Sequence, residues 1–99
     1  MIRAKVIGAT GYGGIGIVEL LLQHPGVELV ALVAREEVGR PIDEIYPHLA
    51  GFCRLPVLAA DDPRARVPAD VVFCATPDGV GMALAPEILA GGARLIDYS

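Results

Sequence analysis

The sequence predicts an α/β fold, a Rossmann-like doubly wound and mostly parallel sheet with helices packed against it. Three observations carry this. Two segments, VELVALV at 27–33 and VVFCAT at 71–76, have the nearly all-apolar, β-branched composition of strands covered on both faces. Between the strand candidates lie stretches whose apolar residues recur at helical spacing, and strand–helix–strand alternation requires crossover connections and hence parallel pairing. The first such crossover opens on a run of glycines.

Taken in order, residues 2–8 (IRAKVIG) alternate and then become apolar, which reads as a strand. From Gly13 to His24, Ile15, Val18, Leu21 and Leu22 recur on one helical face, and Pro25-Gly26 end the run. Residues 27–33 form the second strand. Residues 34–54 carry Gly39, Pro41, Pro47 and Gly51 and read as a loop with one helical turn at 42–46. A short strand is expected at 55–59 (LPVLA), then a polar, turn-rich stretch, then the strand at 71–76. Pro77 to Gly91 places Val80, Ala83, Leu84 and Ile88 on one helical face and stops at Gly91-Gly92. Residues 93–98 (ARLIDY) supply a last strand.

Ninety-nine residues suit one small domain. A hydrophobic fraction of 54% and a mean hydropathy of +0.53 call for a two-sided sheet or for a further domain that covers exposed apolar surface. The net charge of −4, with no basic cluster, argues against nucleic acid and anionic membranes as partners. Cys53 and Cys74 show neither a C-x-x-C pairing nor a nearby histidine pattern, which disfavours a metal site or a disulfide scaffold and makes a reducing cytoplasm the expected compartment. Met1–Lys5 and the uncharged run behind it superficially resemble a secretory leader. Five glycines between Gly8 and Gly16 work against the helix a leader needs. No uncharged stretch approaches the ~20 residues of a membrane span.

The glycines have a more specific use. Gly8-Ala9-Thr10-Gly11-Tyr12-Gly13-Gly14 falls where the first strand turns into the first helix, with G-x-x-G-x-x-G spacing through Gly8, Gly11 and Gly14. In such a corner the first glycine permits the sharp turn and the second lets a pyrophosphate reach the backbone. The third lets helix and strand pack closely. The helix's first N–H groups and its dipole then face the phosphates, with the Thr10 hydroxyl as a further donor. A glycine-rich turn without a ligand is the plainer alternative; the strand–turn–helix context favours a dinucleotide. An acidic residue at the tip of the second strand marks NAD sites, whereas a cation marks NADP sites. Here Ala34 and Arg35 hold the tip and Glu36 follows, so NADP(H) is expected, with Arg35 on the 2′-phosphate and Arg40 as a weaker second candidate. The alternative for Arg35 is a solvated loop charge. Ala75-Thr76-Pro77-Asp78-Gly79 and Asp97-Tyr98-Ser99 emerge at the same sheet edge, where small residues leave room for ribose and nicotinamide.

The ordered segments GATGYGG, LLLQHPGVELVALVAR, YPHLAG, DVVFCATPDG and terminal LIDYS resemble the amino-terminal part of the N-acetyl-gamma-glutamyl-phosphate reductases across nearly the whole chain. The resemblance implies an NADPH-dependent reduction in arginine biosynthesis: a cysteine thiolate attacks an acyl phosphate, and hydride delivered to the thioester releases the semialdehyde with help from a histidine. It maps Gly8, Thr10, Gly11, Tyr12, Gly13 and Gly14 onto the family's phosphate-binding turn, Ala75 and Pro77 onto its cofactor-facing loop, and Ser99 onto a segment near the nicotinamide. It also implies a small-molecule acyl-phosphate substrate and a homo-oligomer assembled through a further domain. That domain, beyond Ser99, carries the catalytic cysteine and histidine, so residues 1–99 are expected to be the cofactor-binding part of a longer reductase with no catalytic residue of their own. Where the family usually has Pro-His-Gly this chain has Pro77-Asp78-Gly79, which leaves position 78 without a role.

Other chemistry-bearing residues read as structural. Cys74 lies in a buried strand and is expected to act as a small core hydrophobe. Cys53 sits in a loop that leaves exposure open to it, but it precedes the sheet's binding edge and has no partner base. His24 is expected to close the first helix by meeting its free carbonyls. His48 reads as structural, Asp61-Asp62 as a turn and helix start, and Glu36-Glu37 as a solvated loop. Extended short-chain dehydrogenases also carry a G-A-T-G-Y turn, but their Tyr-x-x-x-Lys is absent, since Gly16 and Ala50 follow Tyr12 and Tyr46 at that spacing. Semialdehyde dehydrogenases acting on aspartyl or carrier-linked aminoadipyl phosphate, and a non-catalytic dinucleotide-sensing module, remain the alternatives.

Overall fold

The computed structural model describes residues 1–75 and 90–97. Its elements are β1 (Ile2–Ile7), α1 (Tyr12–Leu22), β2 (Val27–Val33), α2 (Ile42–Ile45), β3 (Val57–Leu58), β4 (Val71–Cys74) and β5 (Arg94–Asp97), with 3-10 turns at Pro47–Leu49 and Pro63–Arg66. The strands form one sheet in the order β3-β2-β1-β4-β5, and each neighbouring pair is parallel. This is the expected Rossmann-like, doubly wound architecture. Nearly all of the expected helix from Pro77 lies outside the described residues.

Side chains alternate across the strands and divide the core in two. On one face Val6 and Leu32 pack with Ala9, Ile15, Ile17 and Val18 of the turn and α1, together with Ile42, Leu49 and Cys53. On the other, Ala31, Val33 and Leu58 pack against Ala65 of the second 3-10 turn. The register between β1 and β2 slips once: Ala4 pairs with Leu29 but Lys5 with Ala31. The second strand is less covered than its composition implies. Only Ala31, Leu32 and Val33 are fully buried, while Glu28 is exposed at the end where the chain enters the sheet.

Three boundaries differ from expectation for local reasons. Helix α1 ends at Leu22, because Gln23 N–H donates to the Leu20 carbonyl at 3.2 Å and tightens the last turn. His24 does not reach the free carbonyls; its Nδ1 accepts the Gly26 N–H at 3.0 Å and holds the turn into β2. Strand β3 shrinks to two residues because Pro56, which has no N–H to donate, precedes it. Asp62 starts a 3-10 turn rather than a helix, its carboxylate accepting the Arg64 N–H at 2.8 Å.

Lys5 sits in mid-β1 on the face away from α1. Its Nζ donates to the Ala65 carbonyl at 2.6 Å, and burial pushes its pKa down. Beside it lies a 280 Å³ cavity, lined among the described residues by Ile7, Val33, Val72 and Ala93. This cavity is on the opposite face of the sheet from α1.

Candidate functional site

At the carboxyl end of β1 the chain turns at Gly8, whose φ of +83° is one that L side chains rarely adopt. Gly8 N–H and Ala9 N–H both donate to the Val33 carbonyl, at 2.7 and 3.2 Å, tying the turn to the end of β2. The other two motif glycines differ sharply from each other. A Cβ on Gly14 would lie 1.9 Å from the Gly8 carbonyl oxygen, so α1 can pass this close to the turn only without a side chain. A Cβ on Gly11 would make only ordinary contact with that oxygen at 3.6 Å, and its φ of −80° suits any residue. Packing therefore demands glycine at 14 but not at 11.

Gly11 is the N-cap of α1, with no side-chain capping bond and no acidic residue in the first helical turn. Among the described residues the N–H groups of Tyr12, Gly13 and Gly14 have no acceptor. Tyr12 is 96% exposed and leaves this end of the helix open. The result is a bare, partially positive helix terminus at the sheet edge, the arrangement that accepts an anion.

Two adjacent strand ends complete the edge. After β2, Ala34 N–H donates to the Leu58 carbonyl at 3.1 Å, and Arg35 follows it into solvent with no ion-pair partner among the described residues. Arg40, the weaker candidate, is occupied by a salt bridge to Glu37, itself at φ +63°. After β4, Ala75 N–H donates to the Ile7 carbonyl at 2.9 Å. Gly8, Arg35 and Ala75 thus emerge from β1, β2 and β4, three neighbours in the sheet. The chain runs outward from β1 to β3 and then returns to place β4 on the other side of β1, so the strand order reverses above the glycine turn. Ligands of open α/β sheets lie at such reversals. Pro77, Asp78 and Ser99 lie outside the described residues.

Sequence reasoning missed Tyr46. Its hydroxyl, at the end of α2, donates to the Thr10 carbonyl at 2.7 Å and so reaches into the glycine turn. Two residues on, the His48 ring meets Tyr46 edge to face at 6.0 Å, and its Nε2 lies 2.9 Å from Glu19 Oε1 on α1. The expected helical turn at 42–46 and the YPHLAG segment mark this stretch, but neither points to a partner in the glycine turn.

Cys53 is buried: its backbone N–H donates to the Leu49 carbonyl at 3.1 Å and its side chain joins the α1-side core. Desolvation pushes its thiol pKa up, the Leu55 backbone hydrogen bond opposes this, and the nearby Asp43 charge adds to it. Such a thiol resists forming the thiolate that a nucleophile needs. Cys74 is fully buried in β4, as expected. Among the described residues no group of three or more His, Cys, Asp or Glu side chains is placed to hold a metal ion, and no helix is long and apolar enough to cross a membrane.

A parallel sheet with a bare helix terminus at its reversal point defines a dinucleotide-binding domain of the Rossmann class. Residues 3–99 match the family model described as semialdehyde dehydrogenase, NAD binding domain, and the chain belongs to that family. Its cofactor class is accordingly a nicotinamide dinucleotide. The chain is 52% identical over 97 residues to the N-acetyl-gamma-glutamyl-phosphate reductase of Acidithiobacillus ferrooxidans, covering 98% of this chain and 28% of that protein. To the enzyme of the same name from Bordetella pertussis it is 46% identical over 98 residues, covering 99% of this chain and 27% of the relative. It therefore spans little more than a quarter of the length of these relatives. The crystal structure of aspartate semialdehyde dehydrogenase with NADP from Candida albicans shares the fold, with a TM-score of 0.81 at 22% identity over all of this chain and 30% of that one.

Proposed function

We propose that residues 1–99 are the NADP(H)-binding domain of a longer reductase that converts N-acetyl-gamma-glutamyl phosphate to its semialdehyde. The observation that carries the cofactor reading is the uncapped, acid-free start of α1 at the sheet's reversal point, with a glycine at position 11 that packing does not require. The choice of substrate rests on the reductases of that name that this chain matches at 42–52% identity.

In this reading the N–H groups of Tyr12, Gly13 and Gly14 hold the pyrophosphate, close to the backbone at Gly8 and Gly11, and the Thr10 hydroxyl donates beside them. Arg35 meets the 2′-phosphate through its planar guanidinium fork. Ala75 leaves the ribose free of a large side chain, and the family resemblance assigns Pro77 to the same cofactor-facing loop and Ser99 to a segment serving the nicotinamide. When bound, the cofactor supplies the hydride. Neither described cysteine is suited to displace phosphate, since both are buried. The nucleophilic thiol and the assisting histidine are therefore assigned to the continuation of the chain beyond Ser99, in a second domain that also carries the homo-oligomer contacts. The protein acts in the cytoplasm in arginine biosynthesis.

Titration of the protein with NADPH and NADH, followed by nicotinamide fluorescence, tests the cofactor half: tighter binding of NADPH is expected, and binding of neither would refute it. Assay of the complete gene product tests the reaction. N-acetyl-gamma-glutamyl phosphate should be reduced faster than aspartyl or carrier-linked aminoadipyl phosphate. Turnover of none of them would favour a dinucleotide sensor.

A further inference from the structure

We infer that Tyr46 is a positioning residue for dinucleotide binding, one that fixes the orientation of the Thr10–Gly11 peptide without touching the cofactor. The inference rests on the dinucleotide reading of the glycine turn. A peptide unit is planar, so its C=O and N–H point in opposite directions and can exchange places only by rotation of the whole unit. Here both ends are held. The Thr10 carbonyl accepts the Tyr46 hydroxyl at 2.7 Å, and the Gly11 N–H donates to the Gly8 carbonyl at 3.2 Å.

The first of these bonds matters for an anion. Gly11 is the N-cap, so this peptide stands immediately before the free N–H groups of α1. Rotated, it would turn a carbonyl oxygen, the negative end of its dipole, toward the phosphates that those N–H groups attract. Glycine at 11 makes such rotation easy, because it restricts the backbone less than any other residue. The freedom that lets the pyrophosphate approach therefore also loosens the turn, and a clamp from outside the turn is the remedy.

Tyr46 is well placed to be that clamp. It is part-buried against the α1-side core, and its segment is anchored by Ile42 and Leu49, both buried there. A second tie, from His48 to Glu19, joins the same segment to α1 one residue outside its buried stretch. Fixing the turn before binding raises the fraction of molecules competent to bind, and apparent affinity scales with that fraction.

The test is Tyr46→Phe in the intact protein, with NADPH and NADH titrated at a temperature at which circular dichroism shows variant and wild type fully folded. Both affinities should fall by the same factor, about three- to tenfold, the range expected for one hydrogen bond. The ratio of NADPH to NADH affinity should not change, because the pyrophosphate is common to both. Glu19→Gln, which weakens the neighbouring tie but keeps the phenol, should leave both affinities at wild-type values. Wild-type affinities in Tyr46→Phe, a loss confined to NADPH, or an equal loss in Glu19→Gln would each overturn the inference. Failure of the wild-type protein to bind either dinucleotide would instead remove the reading on which it rests.

Discussion

Gly14 lies against Gly8 so closely that a methyl group on the first would sit 1.9 Å from the carbonyl oxygen of the second and 2.7 Å from its carbonyl carbon. Nothing flexible is available to give way, since both contacts are backbone. Gly14→Ala must push α1 off the sheet or open the turn, and should cost about 3 kcal/mol of folding stability, the upper range for overpacking a close contact. Thermal unfolding followed by circular dichroism reads this directly. A melting temperature within a degree or two of wild type would show that the helix can move without loss.

Gly11 should behave in the opposite way. Its φ of −80° and a Cβ contact no closer than 3.6 Å, to the Gly8 carbonyl oxygen, allow alanine there with a stability change within about 1 kcal/mol. The same methyl group would stand where the pyrophosphate approaches. Gly11→Val should retain the wild-type circular dichroism spectrum and lose measurable NADPH binding. Full binding by a folded Gly11→Val protein would move the cofactor away from this turn.

Arg35 and Arg40 are separable by charge pairing. Arg40 is held by Glu37, whereas Arg35 is exposed with no ionic partner among the described residues. Arg35→Ala removes a charge-assisted contact of on the order of 1.5–3 kcal/mol, so NADPH affinity should drop roughly ten- to a hundredfold while NADH affinity barely moves. Arg40→Ala should have little effect on either. Equal losses for both cofactors in Arg35→Ala would exclude a role in reading the 2′-phosphate.

The Cys53 thiol carries a pH signature. Its pKa lies above the ordinary value of 9.0, chiefly through desolvation. A group raised in the folded state contributes stability that is complete below the unfolded pKa and is lost as pH climbs through the folded one. Wild-type stability should therefore decline above about pH 9 more steeply than that of Cys53→Ser, as measured by urea unfolding across that range. Alkylation by iodoacetamide at pH 8 should be slow in the native protein and fast in urea. In the proposed full-length reductase, Cys53→Ser and Cys74→Ala should each keep turnover within a few-fold. Abolished turnover in a folded variant that still binds cofactor would return the nucleophile to this domain.

The order of strands and helices was legible because each rests on short-range pattern: period-two or all-apolar runs for β1, β2 and β4, helical spacing for α1, and a Pro-Gly stop. The glycine turn proposed to hold the cofactor was legible for the same reason, since Gly8, Gly11 and Gly14 lie within one turn. What the sequence could not reveal is which of these glycines the fold itself requires, because that depends on how near α1 comes to the Gly8 carbonyl. Tyr46 was invisible on the same grounds. It meets Thr10 across 36 residues of chain, through a loop without periodicity. A loop position left the burial of Cys53 open, and packing of residues 42–53 onto α1 takes it inside. Local propensity and spacing set the elements and the glycine turn. The hydrogen bond from Tyr46 to that turn and the burial of Cys53 arise only when distant segments are packed together, since each depends on a neighbour that chain order does not specify.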